Sequence, residues 1–145
     1  MSFRVTARSA ELFGGLVAPR VVPGVEASTS ELFRFLRERI RDRGPQDGGD
    51  VTTLFVPDAH GDYNAVVGVP YATAAEVPVG DVFVQVPSGV FAVFEPDGTL
   101  PDPVEDVWAQ VDDATANGEL FRAYKEDIEV VTNSGKLELY ISIVI

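Results

Sequence analysis

At 145 residues, 46% of them hydrophobic, the chain is long enough for one domain with a real core, and its composition argues against disorder. It has no cysteine, which removes disulfides, thiolate chemistry and cysteine metal sites, and its single histidine, His60, cannot build a histidine cluster. The formal charge of −12 is uneven: residues 1–43 hold eight basic and five acidic residues (+3), and the remainder three basic and eighteen acidic (−15), a balance that argues against direct nucleic-acid binding.

Residues 3–9 alternate as a strand, and 12–18 continue extended past Gly14-Gly15. After the Pro23-Gly24 break, Ser28, Thr29 or Ser30 caps a helix carrying Leu32, Phe33, Leu36 and Ile40 at helical spacing, ending near Gly44-Pro45. Arg34, Arg37, Arg39, Arg41 and Arg43 on or just after that helix read as its solvated face. Residues 51–56 and 63–69 are two strands joined by a polar turn at 58–62 that holds His60. A connector at 70–81 leads to strands at 82–86 and 90–95, separated by Pro87-Ser88-Gly89. A helix at 101–115 places Val104, Val107, Trp108 and Val111 on one side. Strands at 128–131 and 137–145 close the chain around an Asn133-Ser134-Gly135 turn.

The order repeats, with copies at about 1–70 and 82–145. One domain over 1–145 is therefore expected: an α+β fold of two strand–helix–strand–strand units, with helices on one face of an antiparallel sheet and a ligand cleft at the pseudo-twofold seam. No apolar run reaches membrane-spanning length, and the N-terminus lacks a basic-then-apolar leader, so a cytoplasmic protein is expected.

In the last two strands Leu137, Leu139, Ile141 and Ile143 share one face, and Glu138, Tyr140 and Ser142 the other. Ile128 and Val130 point one way, Glu129 and Val131 the other. If both apolar sets face the core, Glu129, Glu138 and Tyr140 line the opposite face, either as an ordinary wet surface or as the floor of a cleft for a cationic aromatic ligand.

Three segments together resemble the GyrI-like effector-binding domains of multidrug-responsive regulators, closest to the free-standing integron-cassette type. They are Val86-Pro87-Ser88-Gly89-Val90-Phe91-Ala92-Val93-Phe94, the helix holding Trp108, and Arg122-Ala123-Tyr124-Lys125-Glu126-Asp127-Ile128-Glu129-Val130-Val131. Gly61-Asp62-Tyr63-Asn64-Ala65-Val66-Val67-Gly68 is a weaker match. Val131 and Ile128 replace aromatics of the family pattern. The resemblance implies a carboxylate, Glu129, at the base of a cleft that meets positively charged drugs amid aromatic side chains. Ligand-binding residues are then expected to be Glu129, Trp108, Tyr140, Glu138, Tyr63 and Phe91, with Tyr140 as the hydrogen-bond neighbour of Glu129. Trp108 reads equally as core.

The reading that follows is a stand-alone protein that senses or sequesters amphipathic, cationic aromatic molecules. It uses no cofactor or metal and makes no direct contact with nucleic acid or membrane. No helix-turn-helix segment accompanies the domain, so it is not expected to be a complete transcription factor, and any regulator or target-protein partner is unnamed. The alternative that the resemblance implies, since some GyrI-like relatives are hydrolases, is a hydrolase of small cyclopropane- or epoxide-type electrophiles, with Glu129 as general acid/base beside Tyr140 or Glu138. A third reading is a purely interactive, inhibitor-like module.

Overall fold

The structure, a computed structural model, describes residues 3–24, 31–43, 50–132 and 134–145. Its elements are β1 (Arg4–Arg8), β2 (Glu11–Val21), α1 (Glu31–Arg41), β3 (Val51–Pro57), β4 (Tyr63–Tyr71), β5 (Val82–Val86), β6 (Gly89–Phe94), α2 (Pro103–Ala116), β7 (Asp127–Val131) and β8 (Leu137–Ser142). The connector adds a single 3-10 turn at Ala74–Glu76. The helix-cap candidates Ser28, Thr29 and Ser30, the Gly44-Pro45 stop and Asn133 lie outside the described residues.

The strands form one antiparallel sheet in the order β1-β6-β8-β7-β3-β4-β2-β5, with both helices on one face, as the α+β expectation requires. The strand–strand–helix–strand–strand order occurs twice, and the halves meet where β3 pairs with β7. Each outer strand crosses over: β1 joins β6 of the other half, and β5 joins β2. The chain's last strand, β8, is interior, between β6 and β7.

This topology cannot be flat. Only Ser9 and Ala10 separate β1 from β2, a reach of about 11 Å. The two strands are nonetheless six spacings apart in the sheet, about 29 Å if it were planar. Pro87-Ser88 imposes the same constraint between β5 and β6. The sheet must therefore curl, bringing its two ends together. Gly15 opposite Gly68 helps it bend, because both lack a side chain on the inner face. A Cβ on Gly15 would lie 2.0 Å from the Val67 carbonyl oxygen, and one on Gly68 1.9 Å from that of Gly14. The β2 and β4 backbones approach in a way that only glycine permits.

Curling creates two cores. The outer one lies under the helices and includes Phe33, Leu36 and Ile40 of α1, Val107, Trp108 and Val111 of α2, and Phe55, Val67, Phe94, Leu139 and Ile141 of the sheet. Leu32 is an exception to the predicted stripe, at 50% exposure. The inner core lies within the curl and gathers Phe13, Leu54, Val66, Val86, Phe91, Ile128 and Val130. Strand residues of both parities are thus buried along β3, β4 and β7, while the inner face of β8 is only half-buried at Glu138 and Tyr140.

Local chemistry holds α2 in place. Asp102 caps it by accepting from the Val104 N–H at 2.9 Å, and Pro103 occupies the first turn. Asp106, buried, accepts from Gln110 Nε2 at 2.8 Å and from the N–H groups of Asp97, Gly98 and Leu100 at 3.3, 3.0 and 3.4 Å. Burial disfavours its charged form, but the donors outweigh that and hold its pKa below the ordinary value. Asp106→Ala should cost about 2 kcal/mol, because three loop N–H groups and the Gln110 amide lose a charged acceptor they share. Urea denaturation at neutral pH checks this, and an unchanged midpoint would count against it.

Candidate functional site

The β7–β8 register fixes which side chains meet. Val131 pairs with Leu137 across the five-residue connection 132–136, so Glu129 pairs with Leu139 and Ile128 with Tyr140. Paired residues share a face. Glu129 therefore points to the helices alongside Leu139, while Tyr140 and Glu138 point into the curl alongside Ile128 and Val130. The expectation that Glu129, Glu138 and Tyr140 share one face is overturned. So is the Glu129–Tyr140 hydrogen bond, and with it the acid/base pairing of Glu129 with Tyr140 or Glu138 that the hydrolase reading needs. Val130 and Ile128 do not mark the only buried side, because the inner face is also a core.

On the helix side the surroundings of Glu129 are specific. Helix α1 packs on β2, β3 and β4, and α2 on β6 and β8, so β7 runs between the two footprints. Glu129 is 1% exposed. From α2, the Trp108 ring N–H donates to its Oε2 at 3.5 Å, a long bond. From α1, Arg37 Nη2 lies 3.7 Å from its Oε1. Thr53, also buried, is its partner on β3. A buried carboxylate loses several kcal/mol of hydration unless a cation or donors replace the water. Here the replacement comes from both helices. Burial is the largest influence on Arg37 and lowers its pKa, with Glu129 pulling the other way and Arg41 adding to the lowering.

Arg37 was read from sequence as part of a solvated arginine face, yet its side chain is only 13% exposed. The signal for it was its place one turn after Phe33, whose ring its guanidinium approaches at 6.0 Å.

A second buried pair continues the seam. Asp127, two residues before Glu129, is fully buried and accepts from Arg122 Nη2 at 2.9 Å and from the Ser142 N–H and hydroxyl at 3.0 and 3.2 Å. Burial is the largest influence and raises the Asp127 pKa, against Arg122 and the Ser142 donors. Arg122 also donates to the Tyr63 hydroxyl at 3.3 Å and lies 5.9 Å from the Trp108 ring. Burial raises the Tyr63 phenol, opposed chiefly by Arg122. Trp108 packs edge-on against Phe55, with ring centroids 5.3 Å apart. Beyond Trp108, a cavity of about 240 Å³ lies between Pro23-Gly24 and Glu105, Ala109 and Asp112 of α2.

The six residues singled out from sequence thus divide. Glu129 and Trp108 are in contact, and Tyr63 joins them through Arg122. Tyr140, Glu138 and Phe91 are on the inner face, where the Tyr140 hydroxyl donates to Glu138 Oε1 at 3.2 Å and the Phe91 and Tyr140 rings stand 6.5 Å apart. Arg37, Arg122 and Asp127 are the seam residues that the sequence reading did not single out.

Residues 32–143 match the family described as integron-associated effector binding protein, Cass2. Among solved structures, the chain is similar to an integron cassette protein from the mobile metagenome of Vibrio cholerae, at 18% identity and TM-score 0.73, covering 99% of this chain and 97% of that one. It is also similar to SAV2435, solved bound to tetraphenylphosphonium, at 13% identity and TM-score 0.72, covering 99% and 94%. No curated protein matches the sequence. No described helix is long and apolar enough to cross a membrane.

Proposed function

The chain belongs to the integron-associated effector-binding proteins, a small-molecule-binding family with the GyrI-like fold, and on that premise we propose that it holds lipophilic organic cations at the seam between α1 and α2. The observation that carries this reading is a carboxylate, Glu129, at 1% exposure on the apolar side of the sheet, flanked by one helix on each side. Such a group binds best a charge that brings its own apolar surface, because a small hydrated ion would have to shed its water to reach it. Aromatic faces at Trp108 and Tyr63 add roughly 0.5–2 kcal/mol each to a desolvated cation. Selectivity would be loose, since charge and apolar bulk are read rather than a hydrogen-bond pattern. The tetraphenylphosphonium on the similar SAV2435 is a molecule of this kind.

In the unliganded chain Arg37 supplies the cation. A ligand must take over its place beside Glu129, so the two compete. Titration of Trp108 fluorescence, the chain's only tryptophan, with tetraphenylphosphonium tests the site directly. Saturable quenching with little response to neutral triphenylphosphine oxide is expected, and no quenching by the cation would refute the reading. Arg37→Gln should tighten the cation by about ten-fold, by removing the internal competitor. Weaker binding in that variant would instead mean that Arg37 helps to build the site.

A further inference from the structure

The phenol and carboxylate that the seam does not use stand together on the inner face of the sheet. Tyr140 and Glu138 of β8 line a cavity of about 420 Å³ with Arg8, Glu11, Asp50 and Phe13, a size within the range of small-molecule sites. Thr52, Val69, Pro70 and Val130 complete its walls. We propose that this cavity is a second ligand site, on the opposite face of the sheet from Glu129, for alkylammonium compounds: an N–H-bearing cation carried on an apolar body.

The argument begins with charge. Glu11, Asp50 and Glu138 give the lining a carboxylate-rich character beside the Arg8 guanidinium, with Arg4 reaching Glu138 from the surface, and a cation complements such a lining better than an anion does. The lining also contains a worked instance of the recognition. The Arg8 guanidinium sits 4.4 Å from the centre of the Tyr140 ring and donates to Glu11 Oε1 at 2.6 Å, so a cation is already held between an aromatic face and a carboxylate. The Glu138 carboxylate accepts from Tyr140 at one oxygen, and at the other, among the described residues, from Arg4 at 3.4 Å, whose side chain is 56% exposed. That oxygen is open to exchange of a weakly held surface cation for a ligand.

The chemistry differs from the seam. Glu138 and Glu11 have side chains 19% and 35% exposed, against 1% for Glu129. Partly solvated carboxylates select for directional N–H donors, which replace the hydrogen bonds of water. A buried one selects for a diffuse, poorly hydrated cation. Phe13, Pro70 and Val130 give the ligand's carbon body an apolar wall, with Phe13 itself part of the inner core. The phenol is tuned to remain a donor: burial raises the Tyr140 pKa, as does Glu138, against the weaker opposing pull of Arg8 and Arg4.

Dansylcadaverine, an alkylammonium with a fluorescent apolar end, is the probe. Saturable binding to the intact chain is expected. Glu138→Gln should weaken it about ten-fold by removing one charge-assisted contact. Arg8→Gln should tighten it by about three-fold, by taking the internal cation off Tyr140 and Glu11; a merely structural role for Arg8 would not produce that gain. Glu129→Gln should leave it unchanged. Tetraphenylphosphonium quenching of Trp108 serves as the fold control for Glu138→Gln and Arg8→Gln. Loss of dansylcadaverine binding in both Glu129→Gln and the stability-restored Glu129→Gln/Arg37→Gln would place the amine in the seam and overturn the proposal. Absence of saturable binding, or indifference to both Glu138→Gln and Arg8→Gln, would do the same, whatever the result with tetraphenylphosphonium.

Discussion

Glu129→Gln is expected to weaken tetraphenylphosphonium by about 100-fold while changing triphenylphosphine oxide by less than about three-fold. The substitution keeps the side chain's volume and its ability to accept from the Trp108 N–H, and it removes only the charge. A neutral ligand of similar bulk therefore keeps nearly all of its contacts. A cation loses its counter-charge at a buried position, where solvent screens least, which is why the effect should exceed that at an exposed acid. The same change leaves Arg37 beside a neutral amide at 13% exposure, so the fold should also lose stability. The double variant Glu129→Gln/Arg37→Gln removes both charges and should recover much of that stability without recovering cation affinity. Isothermal titration of the two ligands against the three proteins decides the matter. Equal losses for cation and neutral analogue in Glu129→Gln would sink charge pairing as the basis of recognition.

The element order was legible because it depends on local signals: alternation in 3–9 and 137–143, the Phe33-Leu36-Ile40 stripe, and breaks at Pro23-Gly24 and Pro87-Ser88-Gly89. Cross-strand register was not, and the site turns on it. The expected grouping of Glu129 with Tyr140 assumed that Ile128 and Val130 face the same core as Leu139. That would need a connection of even length between β7 and β8. The connection has five residues, pairing odd with odd, and it sends Ile128 into a core of its own.

A hint was present in the chain. Val-Thr-Thr-Leu-Phe-Val in β3 and Ala-Val-Val-Gly-Val in β4 lack the alternation of a one-sided strand, as expected when both faces are buried. What hid the second core is that, among the described residues, it is lined by the sheet itself and by neither helix. Its existence follows from crossed outer strands and two-residue links, and no local pattern encodes these. Arg37 was misread for a related reason: a guanidinium at the edge of an apolar stripe looks solvated until its anion, ninety-two positions away in sequence, is placed beside it.

Arg122→Met is expected to be the most damaging single change to the fold, at about 3–5 kcal/mol and a fall in Tm on the order of 10 °C. Arg122 is 11% exposed and Asp127 fully buried, so removing the cation strands an anion that cannot reach water. The pH dependence separates this cause from lost packing. The Asp127 pKa is already raised by burial, and Arg122 is the strongest influence against that rise. Without Arg122 it must climb further. An acid whose folded pKa exceeds its unfolded value, about 3.9 for Asp, favours the fold most below that unfolded value and loses the advantage as pH rises through the folded value. The penalty in Arg122→Met should therefore shrink as the pH is lowered from 7 to 4.5, because without Arg122 the buried Asp127 takes up a proton more readily, whereas a packing defect would cost the same at both. Because Arg122 also donates to Tyr63 and lies against Trp108, the variant should loosen the aromatic side of the seam as well. Tetraphenylphosphonium affinity should fall by about three- to ten-fold, with the loss persisting at pH values where stability has been regained. Urea denaturation at the two pH values, paired with Trp108 titrations, separates the structural part of Arg122's role from its part in the site; a destabilisation that ignores pH would show that Asp127 does not depend on Arg122 for its charge.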